Sequence, residues 1–247
     1  MQRDNLVNIE GKNSVIEVLK GSRYIKKIYI ESSLSDDKIR KIINISKDKN
    51  ISVEYVTRSF LRNLSKTQNF QGVIAMVEAK KIVSSKFYLD KLDNSMPHSV
   101  VLLRSITYEQ NLGAIIRTCA ACGVDAVVIP KNRNSKISPL VERISMGGVN
   151  EVLLIQESFY SALKNLKKAG FKMVALEVTG SKDYYEEDLR GNVGFILGSE
   201  SETLDKNLLS KVDSLIKIPM LGNISSLNVS VATGIVLYER YRQMVSK

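Results

Sequence analysis

From residue 99 onward, short apolar segments recur with helix-like segments between several of them, and no other feature constrains the fold as tightly. The segments are SVVLLRSI, DAVVIP, EVLLIQ, FKMVALEV, VGFILGSE and SLIKIP. A strand exposed on one face alternates apolar and polar residues. Continuous Val, Ile and Leu instead mark strands buried on both faces. LGAIIRTCAACG and SFYSALKNLKKAG carry apolar residues at helical spacing. Helices between such strands supply the crossovers that a parallel sheet requires. The expectation for this region is an α/β domain with a parallel sheet.

The first 80 residues read as a smaller α/β unit. GKNSVIEVLKG predicts a helix ended by Gly21, and IKKIYI a strand. DDKIRKIINISKDKN places Ile39, Ile42 and Ile43 at helical spacing behind an acidic first turn. ISVEYV, SFLRNLSK and GVIAMVEA then predict strand, helix and strand. The stretch KKIVSSKFYLDKLDNSMPH breaks the periodicity and reads as a linker or a helical connection. The expected division is 1–80, a linker at 81–97, and 98–247.

Charge is uneven. Residues 1–97 hold 18 Lys/Arg and 11 Asp/Glu (18 − 11 = +7), and residues 98–247 hold 18 and 15 (18 − 15 = +3). A basic excess favours a polyanionic partner or simply reflects solvated lysines. No apolar run approaches the roughly 20 residues that span a bilayer, and MQRDNLVNIEGKN lacks a signal-peptide core. A cytoplasmic protein without a membrane partner is expected. Cys119 and Cys122 form a C-x-x-C without a second ligating pair, and His98 is the only histidine. A four-ligand zinc site cannot be assembled from that inventory, so no metal is expected and the two thiols read as small buried side chains. A Ser-His-Asp hydrolase, a Rossmann dinucleotide site and a P-loop are all disfavoured by the residues present.

Three polar clusters stand where strands of a parallel sheet would end, the edge at which ligands bind in such folds. In YEQNLGAIIRT, Asn111 can cap the following helix. Arg117 is either a surface residue lying along apolar neighbours or a guanidinium aimed at a phosphate or carboxylate. In FILGSESETL a strand runs into Gly198 and Glu200, which fits a ligand contact or a plain turn favouring a helix N-terminus. In IPMLGNISSLNVSVATG a helix is expected to start at Ser225 or Ser226. One capping hydroxyl suffices there, yet Ser226, Asn228 and Ser230 all follow among apolar residues. Each extra buried polar group costs about 1–3 kcal/mol if left unpaired.

In this order, N-L-G-A-I-I-R-T (111–118), L-G-S-E (197–200) and I-P-M…S-S-L-N-V-S-V-A (218–232) resemble the three signature motifs of the SpoU/TrmH family of RNA ribose 2′-O-methyltransferases, within the SPOUT class. S-M-G-G (145–148) resembles a further family segment. I-E-G-K-N-S-V-I-E-V-L (9–19) and N-F-Q-G-V-I-A (69–75) resemble the ribosomal-protein-like substrate-binding domain of its ribosomal-RNA branch.

The resemblance implies a C-terminal SPOUT domain with a deep trefoil knot, S-adenosylmethionine as methyl donor, a homodimer and an RNA partner. It places Asn111, Arg117, Glu200, Ser226 and Asn228 at catalytic and substrate positions, and Gly198, Ile218 and Leu227 against the cofactor. The implied substrate is a guanosine ribose of 23S ribosomal RNA. Transfer RNA, or a catalytically silent RNA-binding homologue, stands as the alternative. Tyr108-Glu109, Ser201, Thr203 and Asn69-Phe70 depart from the family's usual residues.

Overall fold

The computed structural model describes residues 5–67, 69–106, 108–130, 137–198 and 205–246. The chain forms two compact units, Met1–Lys81 with Ile137–Asn150, and Ile82–Lys136 with Glu151–Lys247.

The first unit opens with β1 (Leu6–Glu10), α1 (Lys12–Lys20), β2 (Ile25–Glu31), α2 (Asp37–Asp48), β3 (Val53–Val56), α3 (Arg58–Leu64) and β4 (Val73–Glu78). Its sheet has the order β1-β4-β2-β3, with β1 and β2 antiparallel to β4 and β3 parallel to β2. Strand β1 is absent from the sequence expectation, although Val7 and Ile9 alternate with polar Asn8 and Glu10. Both have assigned work. Asn8 donates to Leu64 O (3.0 Å). The buried Glu10 carboxylate accepts from Ser65 Oγ (2.8 Å), Lys66 N (2.7 Å) and the Thr67 hydroxyl. Helices α1 and α2 pack Val15, Leu19, Ile39 and Ile42 against Ile9, Ile28, Ile30 and Val73. Asp36 caps α2 through Lys38 N and Ile39 N. Gln71 Oε1 accepts from Lys12 N at the start of α1 (3.1 Å), which gives the N-F-Q-G stretch a structural role.

The second unit contains β5 (Ile82–Val83), α4 (Ser85–Leu89), β6 (Ser99–Leu103), α5 (Glu109–Ala121) and β7 (Ala126–Ile129). Next come α6 (Pro139–Ser145) and α7 (Gly148–Glu151), which belong to the first unit as far as Asn150, then β8 (Leu153–Gln156), α8 (Phe159–Lys168), β9 (Lys172–Leu176) and β10 (Lys182–Asp183). The chain closes with β11 (Val193–Leu197), α9 (Lys206–Leu209), β12 (Ser214–Lys217) and α10 (Val229–Val245). Eight strands form one sheet of order β10-β12-β9-β11-β6-β7-β8-β5, and every neighbouring pair is parallel. The continuously apolar runs are its central strands, with β6, β7 and β11 buried along their whole length. Part of the stretch read as a linker is structured, because β5 pairs with β8 and Tyr88 of α4 packs near Phe171.

One connection in this sheet is unusual. Strand β12 lies between β9 and β10, so residues 177–181, which join those two strands, cross over it. Glu177 N donates to Ile216 O (2.9 Å) and Ser181 N to Leu215 O (3.1 Å), fixing the crossing to the strand beneath. At the crossing a Cβ on buried Gly180 would stand 2.4 Å from the carbonyl carbon of Ile216.

Within the first unit, α6 is fastened by a buried ion pair. Arg23 Nη1 donates to both Glu142 carboxylate oxygens (2.9 and 3.1 Å), while its Nε and Nη2 donate to Glu78 O (2.9 and 2.7 Å). Burial pushes the Glu142 carboxyl up, and Arg23 pulls it back. Just beyond α6, Gly147 has φ +95°, and a Cβ there would lie 2.9 Å from Glu17 Cβ. The glycine of the S-M-G-G segment is therefore required for close packing on α1. Removing one partner of a buried pair strands the other charge. Arg23→Gln or Glu142→Gln is expected to lose about 3–5 kcal/mol, read from urea midpoints. A loss below about 1 kcal/mol, the level of exposed pairs, would contradict this assignment.

The lone histidine stands at the amino end of β6, away from the edge at which parallel sheets bind ligands. Its Nδ1 meets Asp125 Oδ1 (2.9 Å) and its Nε2 meets Asp93 O (2.6 Å). Both nitrogens face acceptors, so the ring carries both protons. Burial of the ring opposes that charge, but the bonds to Asp125 and Asp93 outweigh it and raise the pKa. A raised folded pKa gives stability that is complete below the ordinary imidazole value of about 6.5 and is lost as pH rises through the folded value. The wild-type melting temperature should therefore fall, relative to His98→Gln, between about pH 6 and pH 8. Parallel profiles would contradict the charged ring. Buried Arg240 of α10 anchors the same end of the sheet by donating to Leu189 O, to Gly191 O (2.8 Å) and to His98 O (3.2 Å). Among the described residues no helix is long and apolar enough to cross a membrane.

Candidate active site

Among the described residues, the carboxyl edge of the larger sheet is built from the segments that leave β6 and β12, with Gly198 directly after β11. After β6, helix α5 starts at Glu109 with Tyr108 as its cap residue. Asn111 is thus the third helical residue, and the expectation that it caps the helix is corrected. The first turn lies further upstream than the apolar periodicity indicates, which leaves the Asn111 amide available for another contact. After β12, the chain runs without regular structure until α10 begins at Val229. The cap is Asn228, whose Oδ1 accepts from Ser230 N (2.9 Å) and from Ser230 Oγ (2.6 Å). Ser225 and Ser226 lie before the helix, so the expectation that a serine starts it is also corrected.

These two displacements bring two motifs together. Asn228 Nδ2 donates to Asn111 Oδ1 at 3.1 Å, linking residues 117 positions apart. Helices α5 and α10 pack against each other, and a Cβ on Gly234 would rest 3.8 Å from Thr118 Cγ2. The packing of α5 on α10 holds the two helix starts at the same edge.

Arg117 lies six residues beyond Asn111. At 100° per residue it projects about 120° away around the helix. It is exposed, and among the described residues it has no hydrogen-bond or ion-pair partner. The structure does not bring its guanidinium to the asparagine pair. Ser226 is exposed, while Gly198, Ile218 and Leu227 are half-buried. Glu200, Ser201 and Thr203 fall outside the described residues. Burial pushes the Cys119 thiol up. It also raises that of Cys122, against a hydrogen bond from Tyr238 that lowers it. Neither thiol is poised as a nucleophile. Among the described residues no cluster of three or more His, Cys, Asp or Glu side chains could hold a metal ion.

The sequence motifs pass over Arg104, the first residue after β6. Its backbone N donates to Leu197 O (3.0 Å), and its Nη2 donates to Asp205 Oδ2 (2.6 Å). The signal was present as a cation ending an unbroken apolar run.

A sequence profile of the SpoU rRNA Methylase family matches residues 98–238, more than half of the chain. The chain belongs to this SpoU family. A second profile, described as RNA 2′-O ribose methyltransferase substrate binding, matches residues 8–83. Among SpoU-type relatives, the 23S rRNA (guanosine-2′-O-)-methyltransferase RlmB of Vibrio parahaemolyticus is 30% identical over 247 residues, covering 100% of this chain and 99% of that one. An AdoMet-bound rRNA methyltransferase from Sinorhizobium meliloti has the same fold, with TM-score 0.80, 24% identity and coverage of 98% of this chain and 89% of the other. A TrmH/SpoU tRNA modifying enzyme from A. aeolicus is 30% identical with TM-score 0.55. It covers 64% of this chain and 83% of its own.

Proposed function

We propose that this SpoU protein methylates the 2′-hydroxyl of a guanosine ribose in 23S ribosomal RNA, with S-adenosylmethionine as the methyl donor. The observation that carries the site assignment is the Asn228–Asn111 contact, which joins the first and third motifs at the carboxyl edge of the sheet. S-adenosylmethionine supplies a methyl group already activated by its sulfonium charge, so positioning provides much of the rate. The residues here fit such a guest. Leu221, Ile224 and Val178 are exposed apolar side chains in the stretch after β12 and in the crossing at 177–181. Gly198, Ile218 and Leu227 offer backbone groups and apolar surface to an adenosine.

The asparagine amides orient the ribose hydroxyl. Ser226 and Glu200 take the substrate-side roles that the family resemblance implies. A guanidinium keeps its proton at neutral pH, so Arg117, which projects away from the asparagine pair, holds a neighbouring phosphate rather than acting as the base. The crossing of 177–181 over β12 supports a trefoil knot, a rare exception to unknotted connectivity. Val231, Tyr238, Tyr241 and Val245 form an exposed apolar stripe along α10, which supports a homodimer. The excess of +7 over residues 1–97 (18 − 11) suits an RNA-gripping, ribosomal-protein-like domain. The ribosomal substrate is favoured because the A. aeolicus tRNA enzyme covers only 64% of this chain.

The test is transfer of labelled methyl groups to unmodified 23S rRNA and to unmodified tRNA in parallel. Preference for 23S rRNA is expected. Preference for tRNA would reassign the substrate, and binding of both reactants without transfer would make the protein a silent homologue.

A further inference from the structure

Arg104 sits one residue beyond β6 and extends the β6–β11 ladder to its carboxyl end through Leu197 O. It shares that edge with Asn111, which lies on the helix following the same strand. Its guanidinium is only half-used. Nη2 donates to Asp205 Oδ2 at 2.6 Å. Nη1 is fully buried and meets no acceptor among the described residues, on a side chain only 24% exposed. A buried, unmade hydrogen bond is costly, and more so for a charged donor. Asp205 cannot readily turn to serve it. Its Oδ1 already accepts from Leu208 N (2.7 Å), and its Oδ2 also lies 3.4 Å from the Tyr160 hydroxyl. Lys211 stands over the Tyr160 ring at 5.0 Å. Among the described residues, two cations, Arg104 and Lys211, stand here against one carboxylate, Asp205.

We propose that Arg104 is a further binding residue, whose free Nη1 edge takes an anionic oxygen of a bound reactant while Asp205 holds the other edge in place. This rests on the methyltransferase reading above, because both available anions belong to its reactants. One is a phosphodiester of the RNA strand and the other is the carboxylate of S-adenosylmethionine. A guanidinium fork is suited to either, since its N–H groups match oxyanion geometry.

The test compares Arg104→Gln with Asp205→Asn in the full-length protein. S-adenosylmethionine affinity is measured by calorimetry, and 23S rRNA affinity by filter binding across a salt series. If the anion is a phosphodiester, Arg104→Gln weakens RNA binding about tenfold and reduces the slope of log affinity against log salt by about 0.7. S-adenosylmethionine binding then stays unchanged. If the anion is the carboxylate, S-adenosylmethionine binding falls about tenfold, while 5′-methylthioadenosine, which lacks that group, binds wild type and variant equally. In both cases Asp205→Asn keeps the cation and therefore keeps or improves ligand affinity, although it lowers the melting temperature. Equal affinity losses in the two variants would show that Arg104 merely clamps Asp205. A change below about twofold for both ligands in Arg104→Gln would equally overturn the proposal. Wild-type protein that binds neither reactant would count against the methyltransferase reading itself.

Discussion

Gly180→Ala is expected to yield protein that is largely unfolded or melts far below wild type. The added Cβ would stand 2.4 Å from the Ile216 carbonyl carbon, and 2.6 Å from both Ile216 O and Lys217 N. All three are backbone atoms of β12, so no side-chain rotation relieves the overlap. Relief requires moving the 177–181 crossing off the strand, which breaks the bonds from Glu177 N and Ser181 N. Overpacking of this kind costs about 1–3 kcal/mol or more, and each lost hydrogen bond adds about 1 kcal/mol. A total of about 3–5 kcal/mol corresponds to roughly 10 °C in a chain of this size. Gly191→Ala is the control, since a Cβ there meets nothing within 4 Å and should leave the melting temperature near wild type. A Gly180→Ala midpoint within about 2 °C of wild type would contradict the close crossing.

Asn228→Ser and Asn228→Ala separate the two tasks of one side chain. As the cap of α10, Asn228 accepts from Ser230 N; as a site residue, it donates to Asn111. Serine caps nearly as well as asparagine, whereas alanine costs about 1 kcal/mol. Neither replacement can reproduce the amide donor. Stability is therefore expected to fall only in Asn228→Ala, while methyl transfer falls about a hundredfold in both, the scale of losing one preorganised polar contact in an active site. Asn111→Ala should match the activity loss. If Asn228→Ser keeps full activity, the asparagine is only a cap. Arg117→Lys completes the series. Its charge survives but its fork is lost, and near wild-type turnover would show that the guanidinium is not needed.

The sequence carried the architecture further than it carried the site. Strands β6, β7 and β11 were legible because burial on both faces leaves no polar position in them, and α2 because Ile39 and Ile42 recur behind the Asp36 cap. Strand β1 was harder to read, because only Val7 and Ile9 alternate with Asn8 and Glu10 in five residues, and the partners of those polar groups, Leu64 for Asn8 and residues 65–67 for Glu10, lie far along the chain. The crossing over β12 is a matter of connectivity, and no local periodicity encodes which strand lies between two others. At the site, the residue types were readable and their positions less so. Asn111 and Asn228 were identified as polar groups at strand ends. Their pairing depended on two helices starting away from the residues that the capping signals indicated, α5 earlier and α10 later. Arg104 was hidden for the opposite reason, since a cation after a strand resembles an ordinary strand end until its buried, unpaired Nη1 is seen.

The central claim is methyl transfer to a ribose oxygen, and alkaline hydrolysis of the methylated RNA tests it most directly. A methyl group on the 2′-oxygen blocks that oxygen from attacking the adjacent phosphate, so the linkage on its 3′ side survives alkali. Unmodified 23S rRNA incubated with this protein and labelled S-adenosylmethionine should retain its label in an alkali-resistant dinucleotide whose 5′ residue is guanosine. Label released on mononucleotides would place the methyl group on a base and would contradict the account.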